Sequence, residues 1–210
     1  MEKLMKRPQP PESITGIYDA AFVPAPEVWG WIKAVFLNPD HQLFNPDHAH
    51  LGAFNFQHIA VLWANGGFKK QGRIVVGQAE RIMINASGWK KDRQEVQLID
   101  WFGTVPDYLI TLDAQFCAEC DDISFCALIE HELYHIAHKR DRFGFLSYNR
   151  ETGKPNLEIR GHDVEEFTGV VRRYGASEEV KRMVEAANQK PELSRANVHH
   201  ACGTCFLRVV

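Results

Sequence analysis

The segment His131–His135 constrains this chain more than any other feature, because it reads His-Glu-Leu-Tyr-His. In an α-helix, residues four positions apart lie on one face, about 6 Å apart along the axis. Both imidazoles can therefore hold one metal ion, while Glu132 lies beside the open coordination position. An H-E-x-x-H pattern on a helix is typical of zinc hydrolases, in which the glutamate is the general base that takes a proton from the zinc-activated water.

A catalytic zinc ion needs a third protein ligand, and the sequence offers three kinds of candidate. His162 is the preferred one, since a second helix is predicted to begin near it and could carry its ring toward the motif. Asp141 has the third-ligand spacing of H-E-x-x-H-x-x-G-x-x-H enzymes, but His138 replaces their glycine. The remaining candidates are Glu165 and Glu166, which would give a set of two histidines and one glutamate.

Three polar residues near the motif receive supporting roles. Asp163 and Glu166 are predicted to orient the ligand imidazoles by accepting hydrogen bonds from their second ring nitrogens. His138 follows His131 by seven residues, which is about 10 Å along a helix, so it lies too far away to bind the same ion. We therefore expect His138 at the rim of the site, near the substrate.

The hydrophobic periodicity predicts an α+β fold in which a small, mostly antiparallel sheet of about three strands carries helices on one face. Strand patterns cover residues 58–63, 73–84 and 108–116. Helical patterns cover residues 25–37, residues 122–139, a stretch that begins near Gly161 or His162, and a segment from Ser177 to just before Pro191. We expect a flexible N-terminal lead-in at 1–16, one domain at 17–190 and a C-terminal tail at 191–210.

Charge and hydropathy exclude several classes of partner. The formal net charge is −3, so no global basic field is available to hold a nucleic-acid backbone. The sequence lacks a run of eighteen apolar residues, which argues against a membrane-spanning helix. The first residues lack the apolar core of a secretory signal, so we expect a cytoplasmic protein. The sequence leaves the oligomeric state open.

Four of the five cysteines form two C-x-x-C pairs, Cys117 with Cys120 and Cys202 with Cys205. Two such pairs can build a four-thiolate structural zinc site even when they are far apart in sequence. The alternative is a set of unmetallated thiols or one reversible disulfide. Cys126 falls on the apolar stripe of the motif helix and is predicted to lie in the core.

The H-E-x-x-H motif, the Gly72–Gly77 strand and the Gly161–Phe167 segment together resemble the SprT-like zinc metallopeptidases. The similarity is greater to the metallopeptidases encoded in phages and prophages, and it spans about residues 55–175. It implies a minimal zincin fold in which His131, His135 and His162 bind zinc and Glu132 is the base. SprT-like proteins often carry both cysteine pairs together in a C-terminal ribbon, whereas here the pairs are split.

These observations predict a zinc-dependent metallopeptidase that hydrolyses peptide bonds in a protein or peptide substrate, in the cytoplasm of a bacterial or phage-infected cell. The strand that ends near Phe116 could bind an extended substrate along its edge. An alternative is a phage- or prophage-encoded zinc-binding interaction protein without proteolytic activity. A DNA-associated protease is a third hypothesis, and the net charge argues against it.

Overall fold

The computed structural model describes residues 6–16, 19–70, 73–164, 168–193 and 201–202. The helices are α1 (Pro26–Val35), α2 (Gly88–Phe102), α3 (Ala114–Glu119), α4 (Asp122–Tyr134), α5 (Thr168–Tyr174) and α6 (Glu178–Asn188). The strands are β1 (Phe22–Pro24), β2 (Ile59–Ala64), β3 (Phe68–Lys70), β4 (Arg73–Arg81), β5 (Tyr108–Asp113), β6 (Ile136–His138), β7 (Leu157–Ile159) and β8 (Ala201–Cys202). Two 3-10 helices cover Glu12–Ile14 and Pro46–Ala53.

The main sheet is mixed, with the strand order β1-β2-β5-β4-β3, and β8 also pairs with β4. β2 and β5 run parallel, whereas β1 with β2, β4 with β5 and β3 with β4 are antiparallel. A separate antiparallel pair joins β6 to β7. The predicted α+β class is confirmed, but the prediction of about three strands is too low. The strands that were missed have two or three residues each, which is too short to show an alternating pattern.

The sheet is covered by helices on both faces, not on one face as predicted. Ile59, Val61 and Trp63 of β2 lie in the core formed with α1 and α4. Ala60 and Leu62, which alternate with them, belong to a smaller cluster that includes Phe102 of α2. This double coverage explains the continuous apolar run of β2. Sequence reasoning missed α2 because Phe102 is its one buried residue.

β5 lies in the interior of the sheet, between β2 and β4. The hypothesis that an extended substrate pairs with this strand is therefore wrong, because both of its edges are occupied by neighbouring strands.

The motif helix α4 ends at Tyr134, five residues before the predicted end at residue 139. Ile136 continues the apolar stripe at helical spacing, but it is buried as the first residue of β6, where it pairs with Ile159 of β7. The helix begins after Asp121, whose Oδ1 accepts a 2.7 Å hydrogen bond from the amide of Ser124. Its last turn is therefore joined directly to a strand.

The predicted helix start near Gly161 or His162 is wrong, since residues 161–164 are not helical. The amide of Arg160 donates a 3.0 Å hydrogen bond to the carbonyl of His135, which extends the β6–β7 pairing and keeps the chain extended up to this point. Glu165, Glu166 and Phe167 lie outside the described residues. The third predicted helix is confirmed as α6, with Ser177 Oγ accepting from the amide of Val180.

Residues 6–16, within the predicted flexible lead-in, make specific contacts with the domain. The Arg7 side chain donates to the carbonyl oxygens of Cys117 (2.8 Å) and Cys120 (2.6 Å). Its Nε also lies 2.8 Å from Asp122 Oδ1. Arg7 thus connects the N-terminal segment to the end of α3 and the start of α4. In the part of the chain that the structure describes, every helix is too short or too polar to cross a lipid bilayer.

We predict that Arg7→Ala lowers the free energy of unfolding by about 1.5–3 kcal/mol, because it removes charge-assisted hydrogen bonds from a side chain that is 10% exposed. Arg150→Ala, at an exposed hairpin position, is the matched control and should change stability by less than about 0.5 kcal/mol. Urea denaturation measures both. Equal stability of the two variants would contradict the role of Arg7.

Candidate metal centre

The motif helix and the small β6–β7 sheet meet at one end of the domain. His131 lies in the last turn of α4, and His135 follows the helix as its C-terminal cap. β7 runs antiparallel to β6 and is followed by Arg160, Gly161 and His162. The hairpin therefore returns the chain to the end of α4, 27 residues (162 − 135) after the motif.

Three imidazole nitrogens converge at this point. His131 Nε2 lies 3.3 Å from His135 Nε2 and 3.1 Å from His162 Nε2. Ligand atoms of the three residues all lie within 4.8 Å of one another. Nitrogens about 2.0–2.1 Å from a tetrahedral zinc ion are about 3.3 Å apart, so these separations fit the group that the motif implies.

The ring of His135 has a fixed orientation. Its Nδ1 lies 2.8 Å from the carbonyl oxygen of Arg160, which can only accept a hydrogen bond, so Nδ1 carries the proton. The lone pair of Nε2 then points toward His131 and His162. A backbone carbonyl that fixes a ligand imidazole in this way is typical of metal sites. For His135 this partner is the Arg160 carbonyl and not a carboxylate.

Glu132 is fully buried between α4 and the main sheet. It faces β4 at Gly77, where a Cβ atom would lie 2.6 Å from Glu132 Oε1 and 2.8 Å from a methyl carbon of Leu128. A methyl group at this position would force the side chains of Glu132 and Leu128 to shift. Gly77 is therefore the residue that lets the Glu132 carboxyl group lie against the strand.

Of the other predicted ligands and supporting acids, Asp141 lies in a separate turn, Asp163 lines the cleft of the histidines, and Glu165 and Glu166 lie outside the described residues. Asp141 Oδ1 accepts hydrogen bonds from the amides of Phe143 (2.8 Å) and Phe145 (3.0 Å), which shapes the turn of a hairpin. Asp163 lies 3.2 Å from the guanidinium group of Arg160. Within the described ranges, the donors that cluster are the three histidines.

A family model described as "Putative phage metallopeptidase" matches residues 29–188. The chain belongs to this family of phage metallopeptidases. The matched region begins in α1 and ends in α6, so it contains the three histidines and Glu132. No curated protein and no solved structure matches the chain.

Tyr134, the last residue of α4, connects this helix to the 3-10 helix Pro46–Ala53 of the phage metallopeptidase. Its hydroxyl donates a 2.9 Å hydrogen bond to Asp47 Oδ2 and accepts one of 3.2 Å from Asn45 Nδ2. Its ring packs edge-on against His48, with the centroids 4.4 Å apart. Burial is the main cause that raises the pKa of Tyr134. Sequence reasoning missed this residue because its partners lie almost ninety positions away.

The three histidines line a cleft of about 350 Å³ together with Tyr134, Arg160 and Met183. Glu132 is not among the residues that line it. His138 was predicted to lie at the rim of the site. Its Nε2 donates a 2.9 Å hydrogen bond to the carbonyl oxygen of Ser147, because a carbonyl oxygen can only accept. His138 lines a neighbouring groove that opens beside the cleft.

The described cysteine side chains are free thiols. Cys117 is fully buried, and this burial raises its pKa well above the usual range. Burial also raises the pKa of Cys120, whose Sγ lies 3.4 Å from Arg7 Nη1. Cys126 lies in the core, as predicted, and its pKa is raised by burial to about 11. Cys205 lies outside the described residues, so the four-thiolate site stays a prediction.

We predict that Gly77→Ala lowers the free energy of unfolding by about 1–3 kcal/mol, because the added methyl group overlaps Glu132 and Leu128. Gly30→Ala in α1 is the control, since its Cβ would meet nothing within 4 Å, and it should not destabilise the fold. Thermal and chemical denaturation measure both variants. A Gly77→Ala protein as stable as the wild type would mean that the side chains of Glu132 and Leu128 are not held in this close contact with β4.

Proposed function

We propose that this chain is a zinc-dependent metallopeptidase in which His131, His135 and His162 are the metal ligands. The observation that carries the proposal is the convergence of their Nε2 atoms. The Nε2 atom of His131 lies 3.1 Å from that of His162 and 3.3 Å from that of His135. Membership of a phage metallopeptidase family supports the reaction class. The match also supports a single domain at 17–190, and it favours action in a bacterial or phage-infected cell.

The donor set favours zinc over harder cations, because neutral imidazole nitrogens suit zinc, whereas calcium and magnesium prefer oxygen ligands. Three protein ligands leave a fourth position for water or substrate, as catalytic zinc sites require. A zinc ion held there would polarise a peptide carbonyl and lower the pKa of water.

The chain's own residues would supply positioning and proton transfer. The Arg160 carbonyl holds His135 in the tautomer with a free Nε2. Glu132 is the proposed general base, which accepts a proton from the attacking water and delivers it to the leaving amine. Gly77 leaves room for that carboxyl group, and packing under β4 restricts its motion. The proposed substrate is a protein or peptide segment that reaches the cleft in an extended form.

One observation favours the alternative of a zinc-binding interaction protein without proteolytic activity. Glu132 is fully buried and does not line the histidine cleft. If its carboxyl group stays against β4 after zinc binds, it cannot reach the attacking water. The two functions share the same metal centre, so they differ in what Glu132 does.

We predict that Glu132→Gln lowers the rate of peptide-bond hydrolysis at least about 100-fold, because an amide cannot act as the base. The measurement is fragment release from fluorescently labelled, unfolded casein by the zinc-loaded protein. Glu158→Gln, an exposed change on β7, is the matched control and should cut at the wild-type rate. A Glu132→Gln variant that cuts as fast as the wild type would exclude this mechanism. A wild type that binds zinc but releases no fragments would favour the interaction protein.

We predict that His162→Ala loses the zinc ion of the histidine cluster, since two imidazoles remain where three converged. Elemental analysis of zinc per chain after dialysis measures this loss. His41→Ala, which removes a histidine from the loop after α1, should keep the wild-type content. Retention of zinc by His162→Ala would remove this residue from the ligand set.

We further propose that Cys117, Cys120, Cys202 and Cys205 bind a second, structural zinc ion. The support is topological, because β8 pairs with β4 at Gly77, which in turn pairs with Leu112 of β5, and α3 follows β5 directly. Cys202 and the helix that carries Cys117 and Cys120 are thus attached to neighbouring strands of the main sheet. Zinc content should fall from two to one per chain in Cys117→Ser and stay at two in Cys126→Ser. A single zinc in the wild type would exclude this site.

A further inference from the structure

A larger groove of about 750 Å³ lies beside the histidine cleft. The cleft and the groove share three lining residues, Tyr134, Arg160 and Asp163. β6, which begins one residue after His135, also lines the groove. The groove therefore lies directly beside the histidines, within reach of an extended peptide bound at the cleft.

Two segments form the sides of this groove. One side is the 3-10 helix Pro46–Ala53, which is anchored to β6 because His50 Nε2 donates a 2.8 Å hydrogen bond to the Ile136 carbonyl. The other side is a hairpin between β6 and β7, which contributes Leu146 and Tyr148. The hairpin is closed by bridges between residues 140 and 146 and between residues 148 and 155.

Five aromatic or imidazole rings are among the residues that line the groove: His48, His50, Tyr134, His138 and Tyr148. His138 of β6 stacks on His50 of the 3-10 helix with centroids 5.8 Å apart, and Tyr148 of the hairpin packs edge-on against His138 at 4.8 Å. Tyr134 of α4 packs against His48 of the same 3-10 helix. Burial is the main cause that lowers the pKa of His50. Aromatic side chains of a ligand pair favourably with such rings in stacked or edge-on arrangements.

The charged groups of the groove are already paired within the protein. Arg160 contacts Asp163 at 3.2 Å, and Asp47 accepts from the Tyr134 hydroxyl. Arg140 donates a 2.7 Å hydrogen bond to the Gly144 carbonyl. Two arginines and two aspartates give a formal balance of zero, so the groove has no excess charge for an acidic or basic side chain.

The hairpin also exposes a strongly apolar surface. Phe143 and Phe145 are 69% and 71% exposed, and Leu146 and Tyr148 are 43% and 52% exposed. Four large apolar side chains on one short exposed hairpin are unusual unless they contact a ligand or partner. Leu146 and Tyr148 also line the groove, so a ligand in the groove would cover these two side chains.

We propose that the groove binds a bulky aromatic or aliphatic side chain of an extended peptide, close to the bond at the histidine cleft. Tyr148 and Leu146 are the residues that determine this preference. The inference rests on the proposed function, because it names the substrate class for the same site. It adds a specificity that the H-E-x-x-H motif does not contain.

The test is a binding measurement that needs no hydrolysis. The probes are five fluorescein-labelled decapeptides of Ala, Ser and Gly that differ at one central residue, which is Phe, Leu, Ala, Asp or Lys. Their affinity for the zinc-loaded Glu132→Gln protein is measured by fluorescence anisotropy. We expect the Phe peptide to bind about tenfold more tightly than the Ala peptide, as burial of one large apolar side chain allows, and the Asp and Lys peptides to bind no better than the Ala peptide.

Three variants in the Glu132→Gln background assign the preference. Tyr148→Ala and Leu146→Ala change exposed side chains, so the fold should be kept, and each should reduce the ratio of Phe to Ala affinity toward one. Tyr174→Ala, which removes a 75% exposed tyrosine from α5, should leave the ratio unchanged. Equal affinity for the Phe and Ala peptides, no binding of any peptide, or a ratio that survives both groove variants would overturn the inference. If the Glu132→Gln protein prefers the Phe peptide but the wild type releases no fragments from casein, the specificity of the groove is upheld and the peptidase function is excluded.

Discussion

The arrangement of the candidate metal centre depends on two hydrogen bonds between His135 and Arg160. The Arg160 amide donates to the His135 carbonyl, and the His135 ring donates to the Arg160 carbonyl. The first bond continues the β6–β7 pairing to the end of α4, and the second fixes the ring. His162 lies two residues further along, so the same pair that orients one proposed ligand also positions another. A motif helix without this hairpin would offer two histidines.

The packing of α4 on the main sheet provides the second constraint. Ile129 and Leu133 are fully buried on the side of the helix that faces the core. Gly77 allows close approach at the point where Glu132 meets β4. The helix is thus held by the sheet along its length and by β6 at its end. This rigid support suits a site in which several side chains must keep fixed separations.

Much of the candidate site was predictable from the sequence, because the H-E-x-x-H spacing is local and follows from helix geometry. The partner His162 was also found, although the helix expected to carry it is absent at residues 161–164. Its position depends on strand pairing between residues 136 and 159, and such long-range pairing leaves no periodic signal in strands of three residues. The burial of Glu132 against Gly77 and the groove beside Tyr134 were missed for the same reason. They arise from contacts between segments that are distant in the chain.

The central claim is that three imidazoles from the α4 end and the β7 loop hold one zinc ion. The most direct measurement is an anomalous difference map at the zinc absorption edge, from crystals of the full chain grown with zinc. We predict an anomalous peak that lies between the Nε2 atoms of His131, His135 and His162. A map in which those three rings point apart, with no peak between them, would contradict it.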